Sequence, residues 1–147
     1  MPSFQERVEA ARAGTNPALI CRMPTGWAAL CDLQYLRGYT ILLADPLVAS
    51  LNDLDESGRA RFLGDMARLG DALLEVTGAA RINYAIAGNT DPFLHAHIVP
   101  RFADEPEALR HNHPWAYPPG TMDAIHFDPL RDQDLIRQLA AAIRKHS

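Results

Sequence analysis

The stretch Asp91–Phe102, DPFLHAHIVPRF, decides the fold and the chemistry that this sequence predicts. Apolar residues dominate it, which favours a β-strand whose side chains alternate between two faces. The side chains predicted to lie against a helix are small and apolar: Leu94, Ala96 and Ile98. The side chains on the opposite face are Phe93, His95, His97 and Val99. Two imidazoles therefore stand on one surface, about 7 Å apart along the strand.

The composition indicates an ordinary globular protein. The chain has 147 residues, 48% hydrophobic and 22% charged, which suits one domain over residues 1–147 with a substantial core. The net charge of −4 argues against general nucleic-acid binding. Cys21 and Cys31 are too few for a disulfide framework and indicate reduced thiols in the cytoplasm. No signal-peptide pattern is found, and every apolar run is far shorter than the ~20 residues of a membrane span, so we expect no membrane association.

Three short apolar runs predict the first half of a sheet. They are residues 18–23 (ALICRM), 27–33 (WAALCDL) and 39–44 (YTILLA), and their short connections predict an antiparallel meander. A helix over residues 3–13 precedes them, with Ser3 as its N-cap and Gly14 just past its end.

A long amphipathic helix is predicted over residues 56–77, between an N-cap at Asp55 and a stop at Gly78. Its apolar residues recur at helical spacing: Phe62, Met66, Leu69, Leu73 and Val76. We expect this stripe to pack against the sheet.

The remaining elements complete an α+β fold. Strands over residues 81–87 and 93–102 flank the polar loop 88–92. Residues 103–130 contain five prolines and predict irregular structure wrapped over the domain or over a partner. A last helix over residues 132–145 carries Leu135, Leu139 and Ile143 on one face. We therefore predict a five-stranded antiparallel sheet with one long helix packed on it and helices at both ends, its core at about residues 18–102 and an extension at 103–147.

The two histidines of the strand allow three interpretations. Imidazole titrates near neutral pH and attacks phosphorus or carries protons, which suits nucleophilic or acid–base catalysis. A His-x-His pair on a strand also suits a metal, whose further ligands would come from the Pro-rich segment: His111, His113 and His126. The third interpretation is structural, with both rings satisfied at the sheet surface. Spacing alone leaves all three open.

The order of elements and the sequence FLHAHIVPRF resemble the histidine triad (HIT) family of nucleotide hydrolases and transferases. The family pattern is His-apolar-His-apolar-His-apolar-apolar, often followed by Pro-Arg in the dinucleoside polyphosphate hydrolase branch, which this sequence resembles most. The resemblance covers about residues 18–102 and implies a HIT-like fold. It aligns His95 with the middle histidine and His97 with the last, and it puts Phe93 in the position of the first.

The resemblance implies a hydrolase or nucleotidyl transferase acting on a phosphoanhydride or phosphoramidate. His95 would attack the α-phosphorus and form a nucleotidyl-histidine intermediate, and His97 would hold a phosphate oxygen. Water or another acceptor would then release a nucleoside monophosphate. In the family, a backbone carbonyl holds the second ring nitrogen of the nucleophile, and Phe93 retains such a carbonyl. The scheme needs no metal and no other cofactor.

The same alignment implies the residues that bind the nucleotide. Asp32 matches the residue that binds the ribose hydroxyls, and Asn89 and Thr90 lie where the family contacts the phosphate bridge or leaving group. Asn83 and Arg101 are further candidates, with Arg101 on phosphate. Each has a structural alternative: a turn residue for Asp32 and Asn89, a sheet hydrogen bond for Asn83, a solvated strand end for Arg101.

The implied partners are a purine nucleotide or dinucleoside polyphosphate, such as a diadenosine polyphosphate, and a second copy of the chain in a homodimer. Two other functions remain open. Phe93 motivates a nucleotide-binding or sensing protein with weak turnover, and the His-x-His strand with His111 and His113 motivates a metal-dependent hydrolase.

Overall fold

The computed structural model describes residues 2–146, and its elements follow the predicted α+β order. The helices of more than one turn are α1 (Phe4–Ala13), α2 (Glu56–Thr77) and, at the end of the chain, α5 (Gln133–Lys145). The strands are β1 (Leu19–Met23), β2 (Gly26–Leu30), β3 (Thr40–Ala44), β4 (Arg81–Ala85) and β5 (His95–Arg101). Short helical turns are α3 (Glu107–Arg110), α4 (Pro119–Met122) and two 3-10 turns, Leu51–Asp53 and Pro114–Ala116.

The five strands form one antiparallel sheet in the order β1-β2-β3-β5-β4. The predicted meander of the first three strands is confirmed, and β5 then lies between β3 and β4. His97 pairs with Ile41 on one side and with Ala85 on the other. The strand that carries both histidines is therefore hydrogen-bonded along both edges.

Three strands begin or end two residues or more away from the prediction. β4 ends at Ala85, the last residue that pairs with β5, and not at residue 87. β5 begins at His95 and not at Phe93, because its partner β3 ends at Ala44 and the chain continues into Pro46, which has no N–H for the ladder. β2 ends at Leu30 and not at residue 33, because the chain turns there and the Cys31 N–H donates to the Tyr39 carbonyl at 2.8 Å.

One face of the sheet packs against α2 and α5, as predicted. Leu94, Ala96 and Ile98 of the histidine strand are buried there, at 3% exposure or less. The apolar residues of the two helices that pack on them are Phe62, Met66, Leu69, Leu73, Leu135, Leu139 and Ile143. Burial of this stripe and of the inward side of β5 is the main apolar contribution to the fold.

The opposite face, which carries the histidines, is covered by α1 and by the Pro-rich segment. The buried residues of this second core are Val8, Leu36, Tyr39, Ile41, Leu43, Val99 and Tyr117. The Pro-rich segment wraps over its own domain, and it forms short helical turns where irregular structure was predicted. The buried pair between Arg101 and Glu105, joined by the Tyr117 hydroxyl, holds it there.

The helix ends agree with the sequence. Ser3 and Glu6 form a capping box at the start of α1, and the Asp55 carboxylate accepts a hydrogen bond from Gly58 at the start of α2. Gly14 and Gly78 close the two helices with positive φ angles of 74° and 71°. Among residues 2–146, no helix is both long and apolar enough to cross a membrane.

Gly26 at the start of β2 gives a stability prediction with a matched control. A Cβ at Gly26 would lie 1.8 Å from the Leu43 carbonyl oxygen, whereas a Cβ at Gly64 in α2 would meet nothing within 4 Å. We expect Gly26→Ala to lower the free energy of unfolding by about 1–3 kcal/mol. Gly64→Ala should raise it by about 0.5–1 kcal/mol, because alanine is the better helix former. Urea unfolding measures both, and equal midpoints for Gly26→Ala and the wild type would contradict the close approach of β2 and β3.

Candidate functional site

His95 is held in one tautomer by the backbone. Its Nδ1 lies 2.7 Å from the Phe93 carbonyl oxygen, which only accepts hydrogen bonds, so Nδ1 carries the proton. In the neutral ring Nε2 then has the free lone pair. The Phe4 ring of α1 stacks on the imidazole, with centroids 3.9 Å apart and planes 28° apart. His95 is 4% exposed, so its orientation is fixed by packing as well as by the hydrogen bond.

His97 is held in place by a hydrogen bond to Tyr39. Its Nδ1 lies 2.7 Å from the Tyr39 hydroxyl oxygen. Burial raises the pKa of Tyr39 far above its ordinary value, so the phenol keeps its proton, and a neutral phenol both donates and accepts. Burial, followed by the neighbouring His95, lowers the pKa of His97 to about 4. The ring is therefore neutral at pH 7, and it carries its proton on Nε2 when Tyr39 donates to Nδ1.

The two rings are neighbours in one cleft. Their centroids are 5.1 Å apart, and their planes meet at 76°. The cleft has a volume of about 510 Å³, and α1 and the loop 87–91 form its other walls. Asn89 and Thr90 line it together with His95 and His97, so the structure brings these four predicted site residues together.

Asp32 lies beside this cleft, in an adjoining cavity of about 220 Å³. Both of its carboxylate oxygens accept hydrogen bonds from the Arg7 guanidinium, at 3.3 and 2.5 Å. Arg7 lines both the cavity and the histidine cleft, and it connects Asp32 to the histidines. Sequence reasoning missed Arg7, because a single arginine on an amphipathic helix carries no local signal.

Asn83 and Arg101 lie outside the histidine cleft, on a separate cavity of about 530 Å³. Arg101 donates to the Asn83 side-chain oxygen at 2.7 Å and to the Leu109 and Asn112 carbonyls at 2.8 and 2.6 Å. It is 4% exposed, so its interpretation as a solvated strand-end residue is wrong. This pair fastens the Pro-rich segment to β4 and β5.

Two aromatic residues near His97 were also missed as site residues. The Tyr39 hydroxyl is hydrogen-bonded to His97 Nδ1, and the Trp115 indole meets the His97 ring edge-on at a centroid distance of 5.3 Å. Trp115 remains 40% exposed. Tyr39 begins an apolar strand in the sequence, and nothing local distinguishes it from a core residue.

Asp45 anchors α1 over the site. Its carboxylate accepts hydrogen bonds from Arg12 of α1 and from the Trp27 indole, at 2.9 and 2.8 Å, and from Arg22 at 3.2 Å. The Arg12 hydrogen bond, with the other two donors, lowers the pKa of Asp45 to about 2. The carboxylate therefore stays charged at neutral pH and holds the helix that carries Phe4 and Arg7.

The histidines of the Pro-rich segment do not join the strand pair. Within residues 2–146, no three His, Cys, Asp or Glu side chains gather in a group that could hold a metal ion. His111 lines the same cavity as Arg101, and the His113 ring lies near the Trp115 indole, with centroids 6.4 Å apart. His126 is exposed and contacts Asp123 at 2.7 Å.

No protein-family model matches this sequence, and no curated protein matches it. Solved structures match its fold. A histidine triad protein from Bradyrhizobium japonicum is 26% identical, with a TM-score of 0.66 over 85% of this chain and 89% of that one. One from Marinobacter aquaeolei is 18% identical, with a TM-score of 0.73 over 97% and 96%. A zinc-bound histidine triad family protein from Mycobacterium smegmatis is 21% identical, with a TM-score of 0.66 over 97% and 96%. The fold is thus the one that histidine triad proteins have.

The lowered pKa of His97 predicts a dependence of stability on pH. Between pH 6.5 and 4 the unfolded chain binds a proton that the folded His97 does not, so the free energy of unfolding should fall as the pH falls through this range. One such proton contributes at most about 1.4 kcal/mol per pH unit. Urea unfolding at several pH values should show a shallower slope for His97→Asn than for the wild type. His111→Asn, at an exposed histidine for which no carboxylate partner is found among residues 2–146, is the control and should keep the wild-type slope. An unchanged slope in His97→Asn would refute the assignment.

Proposed function

We propose that this chain is a histidine triad enzyme that cleaves a nucleotide phosphoanhydride or phosphoramidate and releases a nucleoside monophosphate. The observation that carries this proposal is the placing of two adjacent imidazoles in one cleft, with the Nδ1 of His95 held by a backbone carbonyl. The Phe93 carbonyl leaves His95 Nε2 with a lone pair, and we assign Tyr39 as the donor to His97 Nδ1, which gives His97 Nε2 the proton. A nucleophile beside a neutral hydrogen-bond donor is the pair that phosphoryl-centre chemistry requires.

The reaction proceeds in two displacements. His95 Nε2 attacks the α-phosphorus, a nitrogen–phosphorus bond forms, and the leaving group departs with the electron pair of the broken bond. Water or another acceptor then attacks the same phosphorus, the nitrogen–phosphorus bond breaks with its electron pair returning to Nε2, and the proton of the acceptor is released to solvent. His97 Nε2–H donates to a phosphate oxygen whose negative charge grows in each transition state.

The remaining predicted residues take distinct roles. Asn89 and Thr90 bind the phosphate bridge or the leaving group from the loop wall of the cleft, and Asp32 accepts ribose hydroxyls in the adjoining cavity. Asn83 and Arg101 support the site indirectly through the Pro-rich segment. The substrate is a purine nucleotide or a dinucleoside polyphosphate, of which diadenosine polyphosphates are the test case. The location is the cytoplasm, in keeping with the free thiols of Cys21 and Cys31.

A nucleotide-binding protein with little turnover is the second candidate. It is favoured by one observation: Phe4 stacks on His95, and the ring is only 4% exposed. An incoming phosphorus atom needs access to Nε2, so in the enzyme the Phe4 side chain must move off the imidazole when substrate binds. In a binding protein the stack would persist.

Turnover assays separate these functions. We expect adenosine monophosphate to be released from diadenosine tetraphosphate or from adenosine 5′-phosphoramidate, and His95→Ala to lower kcat by about 10³-fold or more because the nucleophile is lost. His126→Ala is the matched control, since the His126 side chain is exposed and its hydrogen-bond partner, Asp123, does not line the cleft. A substrate with a chiral thiophosphate at the α position should be cleaved with retention of configuration, because two inversions occur.

Three results would contradict this enzyme. Full activity of His95→Ala would remove its nucleophile, and inversion at phosphorus would remove the covalent intermediate. Binding of nucleotide without any monophosphate release would favour the second candidate. Loss of activity with a chelator, restored by a divalent metal, would favour the metal-dependent hydrolase in which a metal ion bound at the histidine strand activates water.

We also propose a homodimer built along β4 and α2. β4 is an edge strand, and the Tyr84 side chain lies over α2, where a Cβ at Gly70 would be 1.9 Å from its hydroxyl oxygen. Tyr84, Leu63 and Leu74 are 45%, 47% and 39% exposed, and three helical turns place the two leucines on the same side of α2. Sedimentation should give twice the chain mass, and Leu63→Glu should shift it toward the monomer. Leu130→Glu, on an 86% exposed residue elsewhere, should not.

A further inference from the structure

Arg7 separates the two cavities of the site. It lines the cleft of the two histidines, and it also lines the adjoining cavity that contains Asp32. A nucleotide whose phosphates lie at the histidines and whose ribose lies at Asp32 must pass the Arg7 guanidinium. The Arg7 side chain is only 15% exposed, so its position is set by its neighbours and not by solvent.

The guanidinium keeps donors free for a ligand. It has five N–H groups, and Asp32 accepts two hydrogen bonds from it, one from each terminal nitrogen. No other hydrogen bond from the Arg7 side chain is found among residues 2–146. The bidentate geometry with Asp32 fixes the plane of the group, so its remaining N–H groups are held ready and lose little entropy on binding.

The charges around the cleft make this cation necessary. Of the described side chains that line it, the only charged ones are Arg7 and Asp91, because His97 is neutral at pH 7 and His95 acts as a nucleophile only when neutral. The Asp91 carboxylate caps α1 by accepting from the Phe4 N–H at 2.8 Å, and it repels a phosphate. Without Arg7 a polyanionic substrate would meet neutral donors and one negative charge.

We propose that Arg7 binds the phosphate chain of the substrate and that Asp32 is the residue that positions it. This assignment rests on the proposed function and adds to it a cation from α1, outside the histidine strand. An ionised carboxylate has about four lone-pair sites, so Asp32 accepts from Arg7 and from a ribose hydroxyl at the same time. The two cavities then bind one nucleotide, and the guanidinium lies where its ribose meets its phosphates.

The test measures binding without turnover, in the full chain carrying His95→Ala. The probes are adenosine, AMP, ADP, ATP and inorganic tripolyphosphate. Arg7→Gln should weaken ATP and tripolyphosphate by about tenfold or more, the size of a lost charged hydrogen bond, and adenosine by no more than about twofold. The loss should grow from AMP to ATP, and Arg7→Lys should restore part of it by keeping the charge. Arg137→Gln removes an exposed arginine that also pairs with an aspartate on a helix, and it should change nothing.

The role of Asp32 is tested by coupling. If Asp32 positions Arg7, the loss that Arg7→Gln causes should shrink to about threefold or less when Asp32→Asn is already present. Equal effects of Arg7→Gln with and without Asp32→Asn would overturn the positioning role. Thermal unfolding of each variant shows that the chain is folded under the conditions of the binding assay.

The possible failures are distinguishable. If Arg7→Gln weakens adenosine and ATP equally, Arg7 only supports the structure and the inference is wrong, whatever the turnover assays show. If tripolyphosphate and ATP depend on Arg7 but the wild type releases no monophosphate, the inference stands and the enzymatic proposal fails. If no probe binds, both fail.

Discussion

The site depends on the position of β5 between β3 and β4. A strand that is hydrogen-bonded on both edges cannot rotate about its axis, so each of its side chains stays on one face of the sheet. Ala96 and Ile98 point into the core under α2 and α5, and His95 and His97 point to the other face. A slip of one residue would exchange these two sets of side chains. It would bury two imidazoles in the apolar core and remove Ile98 from it, and both changes are unfavourable. The core therefore specifies the register, and the register specifies the site.

The second constraint is α1, which covers the face of the sheet that carries the two histidines. Asp45 attracts Arg12 and Arg22 and binds the Trp27 indole, so the helix is fixed by charge at its far end. Its near end supplies the Phe4 ring and the Arg7 guanidinium to the cleft. The same helix buries the His95 ring under Phe4. Desolvation keeps His97 neutral, and in the proposed reaction a desolvated donor would interact more strongly with a charged ligand than an exposed one.

The parts of the site that could be predicted from the sequence are those that are close together along the chain. His95, His97, Asn89 and Thr90 belong to one strand and the loop before it, so alternation and a short connection suffice to bring them together. Tyr39 meets His97 across 58 residues, and Arg7 meets Asp32 across 25. Those contacts follow from the packing of whole elements, and no spacing rule contains them. Arg101 was misjudged for the same reason, since Glu105 and Tyr117 bury it only after the Pro-rich segment has wrapped back.

Phe93 orients His95 through its backbone and not through its side chain. The group that fixes the His95 tautomer is the carbonyl of Phe93, and every residue type has one. The direction of the Phe93 carbonyl is set by the hydrogen bonds of the next residue, Leu94. The Leu94 N–H donates to the Val48 carbonyl at 2.8 Å, and the Leu94 carbonyl accepts from the Ala44 N–H at 3.2 Å. A phenylalanine side chain adds neither a proton donor nor a charge beside the two imidazoles. In the proposed reaction the positive charge for the phosphate must then come from another element, and among the described residues that line the cleft only Arg7 has one. The proposal therefore assigns to α1 a charge that the histidine strand does not supply.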